Sequence, residues 1–222
     1  MGLIVYGAAL SPFVRKVRVF LAEKGADYTL ENVNIFPAPD WFAEISPLKR
    51  IPVLKDEEAG VTLADSSAIC GYLEKTHAAP ALYPTAAGDY GRALWLEEYG
   101  DSELAGHIGM GTFRPMVVNP LMGKEPDTAT AEKTIAEKLP SYFAYLEREA
   151  GSREFLAGDG FSIADISIAT QFVNFAHGGF VPGAELYPNL TAYLARMHAR
   201  PSFAACIAEE TAMLDKVLKR TA

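Results

Sequence analysis

Along the first third of the chain, apolar positions come in short runs, each bounded by Gly, Pro, Ser or Asp. Leu3 to Tyr6 is a run of strand type. Ser11-Pro12 then opens a helix, with Ser as N-cap and Pro at the first helical position. Val14, Val17 and Leu21 recur at helical spacing, with Arg15, Lys16, Glu23 and Lys24 between them. Gly25 is a C-terminal stop. Tyr28 to Val33 reads as a second strand. Phe36 to Ile45 carries two prolines and reads as a loop with a short helix. Ile51-Pro52-Val53-Leu54 and Val61-Thr62-Leu63 flank a polar segment ending in Gly60, which predicts a hairpin. Pro52 begins its strand, where a missing N–H does least harm. A helix from about Asp65 to His77 completes the order β-α-β-(α)-β-β-α.

Ala78 to Ala87 holds Pro80, Pro84 and several small residues, the composition of a linker. Beyond it no run has a strand pattern. Helical periodicity covers 88–112, 128–149, 163–177, 189–199 and 202–219, and Pro140 interrupts the second of these. Phe113 to Asp127, with three prolines, reads as a loop. The expected organisation is an α/β domain over 1–78 and an all-helical domain over 88–222.

Composition narrows the function classes. Half of the 222 residues are hydrophobic, enough for packed cores. The formal net charge of -8 argues against nucleic acid as the main partner, because phosphate binding needs a basic surface. The two cysteines, Cys70 and Cys206, make no metal-ligand spacing and no disulfide framework, which fits a reducing cytoplasm. Cys70 falls among apolar neighbours and reads as buried. The four histidines are scattered, so no metal site is expected. No run is long enough to span a bilayer, and the opening strand pattern is not that of a signal peptide.

Four segments carry chemistry or folding information. Ser11 sits where a strand gives way to a helix, a place where free N–H groups favour negative charge. Its hydroxyl can donate to a thiolate; the alternative is that it caps the helix and nothing more. Lys49-Arg50-Ile51-Pro52-Val53 is the second segment. A cis bond at Pro52 would turn Val53 so that its N–H and C=O face an extended peptide; the alternative is an ordinary strand-edge proline. Asp65-Ser66 is the third. Asp65 can take an ammonium while Ser66 and the helix end take a carboxylate, or Asp65 can simply cap. Ser162 and Asp165 have capping-box spacing, with Phe161 and Ile166 placed as a hydrophobic staple, and read as folding information.

Taken together, in this order and spacing, these segments resemble the glutathione transferase superfamily over nearly the whole chain. The Ile51-Pro52-Val53 turn, the Asp65-Ser66 pair and the Ser162-to-Asp165 cap carry most of that resemblance. It implies an α/β thioredoxin-like N-terminal domain plus an all-α C-terminal domain, the glutathione transferase fold. It also implies a cytoplasmic homodimer that uses glutathione and a hydrophobic electrophile, with no nucleic acid and no membrane. Glutathione would lie against Ile51, Pro52 and Val53, with its γ-glutamyl end at Asp65 and Ser66. Arg50, Lys49 or Trp41 would meet the glycine carboxylate, and Phe13, after the helix cap, is a further glutathione-binding candidate.

Ser11-Pro12-Phe13 resembles the serine-type enzymes, notably the tau class and related bacterial proteins. Cysteine-type members place Cys at the position of Ser11, and that Cys is absent. Alpha, mu and pi members use a Tyr near the end of their first strand, so Tyr6 is the competing thiolate donor. A second-substrate pocket is expected between the domains, with candidates His107, Met110, Phe113 and Arg114 at mostly i+3/i+4 spacing. Gly106, Gly109 and Gly111 would make room for a ligand or for a packed helix. The expected activity is attack by the glutathione thiolate on an apolar electrophile. A glutathione-dependent lyase, dehalogenase or isomerase, and a non-catalytic ligand- or partner-binding protein, are the other classes.

Overall fold

The structure is a computed structural model that describes residues 2–35 and 37–218. The chain divides between Leu82 and Tyr83 into two compact units.

The first unit opens with β1 (Leu3–Gly7), α1 (Pro12–Lys24) and β2 (Tyr28–Asn32). They are followed by α2 (Phe42–Ile45), β3 (Val53–Asp56), β4 (Val61–Leu63) and α3 (Ser66–Thr76). The sheet order is β2-β1-β3-β4, with β1 parallel to β2 and antiparallel to β3. Strand residues alternate between faces. Tyr6 and Val53 pair in register, and the cluster of Val33 and Phe42 covers their face. Val5 and Leu54, also paired, are fully buried on the opposite face.

Helix α1 stops at Gly25, whose φ of 64° is the left-handed C-terminal conformation that glycine adopts without a Cβ clash. Most of the charged residues between the apolar positions of α1 are not solvated. Arg15, Lys16, Arg18 and Lys24 are buried along with Val14, Val17 and Leu21. Lys24 illustrates how burial is compensated. Its ammonium lies 2.6 Å from the Glu74 carboxylate and donates to the Pro80 carbonyl at 2.6 Å. The second strand of the hairpin pairs as expected. Its first strand begins at Val53, so Ile51 and Pro52 lie just outside it. Of the loop expected from Phe36 to Ile45, Phe36 lies outside the described residues.

The described helices of the second unit begin with α4 (Ala87–Glu98), which continues into a wider segment of π type, Tyr99–Val118. Then come α5 (Asn119–Leu121), α6 (Thr128–Glu137), α7 (Leu139–Ala150), α8 (Ile163–His177), α9 (Pro188–His198) and α10 (Pro201–Leu218). Residue 219, expected at the end of the last helix, lies outside the described residues. Two expectations change here. The loop from Phe113 to Asp127 shrinks to the residues after Leu121, because the helical path continues through Pro115. Phe113, Pro115 and Val117 are buried, and that packing outweighs the proline's missing donor. The pattern over 128–149 is two helices, and Pro140 sits in the first turn of the second, where it is tolerated.

Every residue of α8 except Ala176 is buried, and this helix packs on α4, the π segment and α9. Its capping box is complete. The Asp165 carboxylate accepts from Ser162 N at 2.9 Å, Leu156 N at 2.9 Å and the Tyr193 hydroxyl at 2.8 Å. The Ser162 hydroxyl donates to it as well, at 3.2 Å. Burial pushes the carboxyl pKa up, and these donors oppose the shift. A Cβ on Gly100 would stand 2.7 Å from the Ser167 carbonyl oxygen, so α8 and the π segment meet backbone to backbone there. Gly111 likewise lies against Thr134, whereas Gly106 and Gly109 face open space.

Candidate functional site

The strand order brings three sequence segments to one end of the first unit's sheet. β1 ends there, and the chain turns through Ala8–Leu10 into the N-terminus of α1. β3 starts there, because it runs antiparallel to β1 and pairs Val53 with Tyr6. β4 ends there, antiparallel to β3, and leads through Ala64 into the N-terminus of α3. Ser11, Val53 and Asp65 therefore share one end of the sheet. The N-termini of α1 and α3 sit at the same end, and both favour negative charge.

Ser11 is the N-cap of α1, with extended backbone at φ -73° and ψ 126°. Its oxygen accepts from Val14 N at 3.4 Å, a long bond. Capping uses the oxygen as acceptor, so the O–H remains a donor, and among the described residues it meets no acceptor. Ser11 is half-buried. Phe13, in the first turn, is half-buried as well.

Asp65 is the N-cap of α3. One carboxylate oxygen accepts from Ser67 N and Ala68 N, both at 3.0 Å. The other oxygen has no partner among the described residues, and the residue is exposed. Ser66, beside it, is buried. Lys16 reaches this helix from α1 and donates from its ammonium to the Ser67 hydroxyl at 2.9 Å.

The ladder between β3 and β4 runs from Asp56↔Val61 to Leu54↔Leu63 and stops one residue short of Val53. On that side Val53 has no strand partner, which leaves a length of open strand edge beside Asp65. The Ile51–Pro52 peptide bond is cis. Pro52 is buried and Ile51 packs against the Val33, Phe42, Val53 cluster.

Tyr6 belongs to that same cluster, and its ring meets Trp41 edge-on at 6.0 Å. Trp41 is 48% exposed, large for an indole. Lys49 and Arg50 are both exposed, and Lys49 has a φ of 52°. The loop that carries them is held by Ser46, a residue the sequence reading did not single out. Ser46 is fully buried, and its hydroxyl donates to Arg50 O at 2.8 Å and accepts from Arg50 N at 3.0 Å. A Ser one residue before a Pro in a polar loop carries no signal that separates it from an ordinary turn residue.

In the second unit, the π segment carries His107, Met110, Phe113 and Arg114. Met110 is exposed and Arg114 half-buried. Phe113 is buried at 8% exposure. His107 Nε2 lies 2.9 Å from the Tyr142 hydroxyl, which donates to Glu103 at 2.8 Å. That bond to Glu103 raises the Tyr142 pKa. Among the described residues no group of three or more His, Cys, Asp or Glu could hold a metal ion. No described helix is long and apolar enough to cross a membrane.

Residues 5–81 match the sequence profile of the glutathione S-transferase N-terminal domain, and residues 112–210 that of its C-terminal domain. Glutathione S-transferase 3 of Zea mays is 31% identical, over 92% of this chain and 92% of its own. FtsZ-localized protein A of Caulobacter vibrioides is 26% identical, over 90% of this chain and 88% of its own. A crystal structure of a glutathione S-transferase from Rhodospirillum rubrum F11 superposes with a TM-score of 0.84 at 28% identity, covering 92% of this chain and 91% of that one.

Proposed function

This chain belongs to the glutathione S-transferase superfamily, and from that premise we propose that it binds glutathione and activates its thiol with Ser11. One observation carries the reading. At a single end of the sheet, the Ser11 O–H, the second Asp65 carboxylate oxygen and the Val53 edge all lack partners among the described residues. These are a donor for an anion, an acceptor for an ammonium, and a strand edge for a peptide. Glutathione presents all three needs. Its cysteinyl backbone pairs with Val53 beside Ile51 and Pro52. Its γ-glutamyl ammonium meets Asp65, with the α-carboxylate at Ser66 and the α3 N-terminus. Arg50, with Lys49 and Trp41 in the same loop region, takes the glycine carboxylate. Phe13 lies beside the thiol in the first turn of α1.

A free thiol has a pKa of about 8.5, so only a few per cent is ionised at neutral pH. A hydrogen bond from Ser11 favours the thiolate, as does the positive end of α1. A depression of about two units makes thiolate the major species, a differential of roughly 2.7 kcal/mol. The thiol proton leaves to solvent. The sulfur lone pair forms a bond to an electrophilic carbon, and a leaving group departs with its electron pair or the adduct takes up a proton. Ser11 is a donor throughout and needs no His or Asp partner. Tyr6, whose ring is committed to the Val33, Phe42, Val53 cluster, is the weaker candidate for that role. Met110 and Arg114, and less directly His107, are the candidates on the second unit for contact with the apolar substrate.

Titration calorimetry with glutathione, and a thiolate absorbance scan against pH on the same sample, test the reading. Wild type should bind with a thiol pKa about two units below the free value. Ser11→Ala should raise that pKa by roughly one unit and cut turnover about tenfold, with affinity nearly unchanged. A Ser11→Ala profile that matches wild type, with Tyr6→Phe showing the shift instead, would transfer the role to Tyr6. The kinship with FtsZ-localized protein A favours one further reading, a protein that uses this fold to bind a partner. Absence of glutathione binding at millimolar concentration would leave that reading standing alone.

A further inference from the structure

The loop between α2 and β3 contains a backbone conformation that needs an explanation. Lys49 has a φ of 52°, and no other described non-glycine residue has a positive φ. An L side chain is disfavoured there because its Cβ crowds the neighbouring carbonyl, and lysine has no side-chain acceptor to offset the cost. A conformation of this kind persists only where its surroundings over-determine it.

Ser46 supplies the determination. Its backbone N–H closes α2 by donating to Phe42 O at 2.9 Å, and Phe42 is fully buried. Its carbonyl accepts from Lys49 N at 2.8 Å, which closes the turn. Its side chain, fully buried, then grips the next residue from both sides, donating to Arg50 O and accepting from Arg50 N. Two of these bonds span the left-handed residue, one ends on it, and one anchors the group to the core. We infer that Ser46 is a positioning residue of the glutathione site: it holds Lys49 left-handed so that Arg50 starts from a fixed backbone position beside Ile51 and Pro52. It touches no substrate and acts through Arg50. The inference rests on the glutathione reading above.

Without the hydroxyl, Arg50 loses both side-chain bonds and Lys49 relaxes toward negative φ. The Arg50 guanidinium then starts from a spread of positions, and ordering it on binding costs affinity. Ser46→Ala in the full chain should raise the glutathione Kd and KM roughly tenfold. The kcat at saturating glutathione and the KM of an aryl halide co-substrate should stay within about twofold of wild type, because the thiol and its donor are untouched. The second readout separates backbone geometry from charge. Lys49→Ala and Lys49→Gly remove the same ammonium, but only glycine accepts a positive φ freely. On the Ser46→Ala background, the Gly variant should bind glutathione about threefold more tightly than the Ala variant.

The outcomes separate cleanly. A wild type that fails to bind glutathione overturns the reading of the site, and this inference falls with it. A wild type that binds, beside a folded Ser46→Ala that binds equally well, overturns the inference alone. Equal affinities for the two Lys49 variants would show that Ser46 does not act by holding that residue left-handed. Should Ser46→Ala fail to fold, amide exchange on wild type still decides: the Arg50 N–H should be protected, and free exchange there would remove the clamp.

Discussion

Asp65 at the start of α3 and Asp165 in the first turn of α8 both accept backbone N–H groups at a helix N-terminus, yet their surroundings differ in almost every other respect. Asp165 is fully buried and takes four donors, from Ser162 N, Ser162 Oγ, Leu156 N and Tyr193 Oη, over both of its oxygens. Asp65 is exposed and engages two amides with one oxygen, leaving the other without a partner among the described residues. A carboxylate whose capacity is used up inside the protein has nothing left for a ligand. One that is half used, beside a helix end and an open strand edge, is equipped to recognise an ammonium. Satisfaction of acceptors, and neither residue type nor cap position, is what separates Asp165 from Asp65 in the glutathione reading proposed above.

That contrast can be broken in order of expected size. Asp165→Ala strands two backbone donors and a tyrosine hydroxyl in the core, and should cost about 3–5 kcal/mol. Urea unfolding measures it, and a loss below about 1 kcal/mol would contradict the assignment. Asp65→Ala should cost only about 1 kcal/mol of stability, the usual value of a cap. Its main effect should be a loss of glutathione affinity of about tenfold or more, read by calorimetry. Equal affinity would remove Asp65 from the site.

Asp56 sharpens the comparison from a third position. It is satisfied like Asp165, accepting from Ala59 N and Glu58 N at 3.0 Å and from the Tyr72 hydroxyl at 2.7 Å, but its surroundings are solvated. Those bonds, the one from Ala59 first, hold its pKa below the ordinary 3.8. A depressed carboxyl pKa gives stability that is present above the unfolded value and lost as pH falls through the folded one. Wild type should therefore be more stable than Asp56→Asn near neutrality and lose that advantage as pH drops below 3.8. Parallel acid limbs would show that the satisfied surface carboxylate contributes nothing.

Local signals were legible in the chain. Ser11-Pro12 and Gly25 bound α1, Asp65 opens α3, and the Ser162–Asp165 box opens α8, all within one turn of where each pattern lies. What escaped depends on neighbours distant in sequence. The run from Tyr99 to Leu121 contains glycines and prolines that argue for a break near residue 112, but burial of Phe113, Pro115 and Val117 keeps it helical. The burial of Arg15 and Lys16 was not legible, because periodicity counts apolar positions and cannot see what covers the polar ones. Ser46 and Lys49 were opaque for a related reason. A lysine gives no hint of positive φ, and a serine hydroxyl shows its two partners only once the loop is closed.

The meeting of α8 with the π segment at Gly100 has a consequence for variation. A single hydrogen on that α-carbon is all the space between two backbones permits, since even a methyl carbon would come within 2.7 Å of the Ser167 oxygen. All of α8 but Ala176 is buried, so a shift of its backbone would disturb packed neighbours. Glycine is ordinarily the residue with most latitude, yet here any side chain would force one of the two backbones to shift. The smallest side chain in the second unit thus carries as much information about the fold as any aromatic in its core.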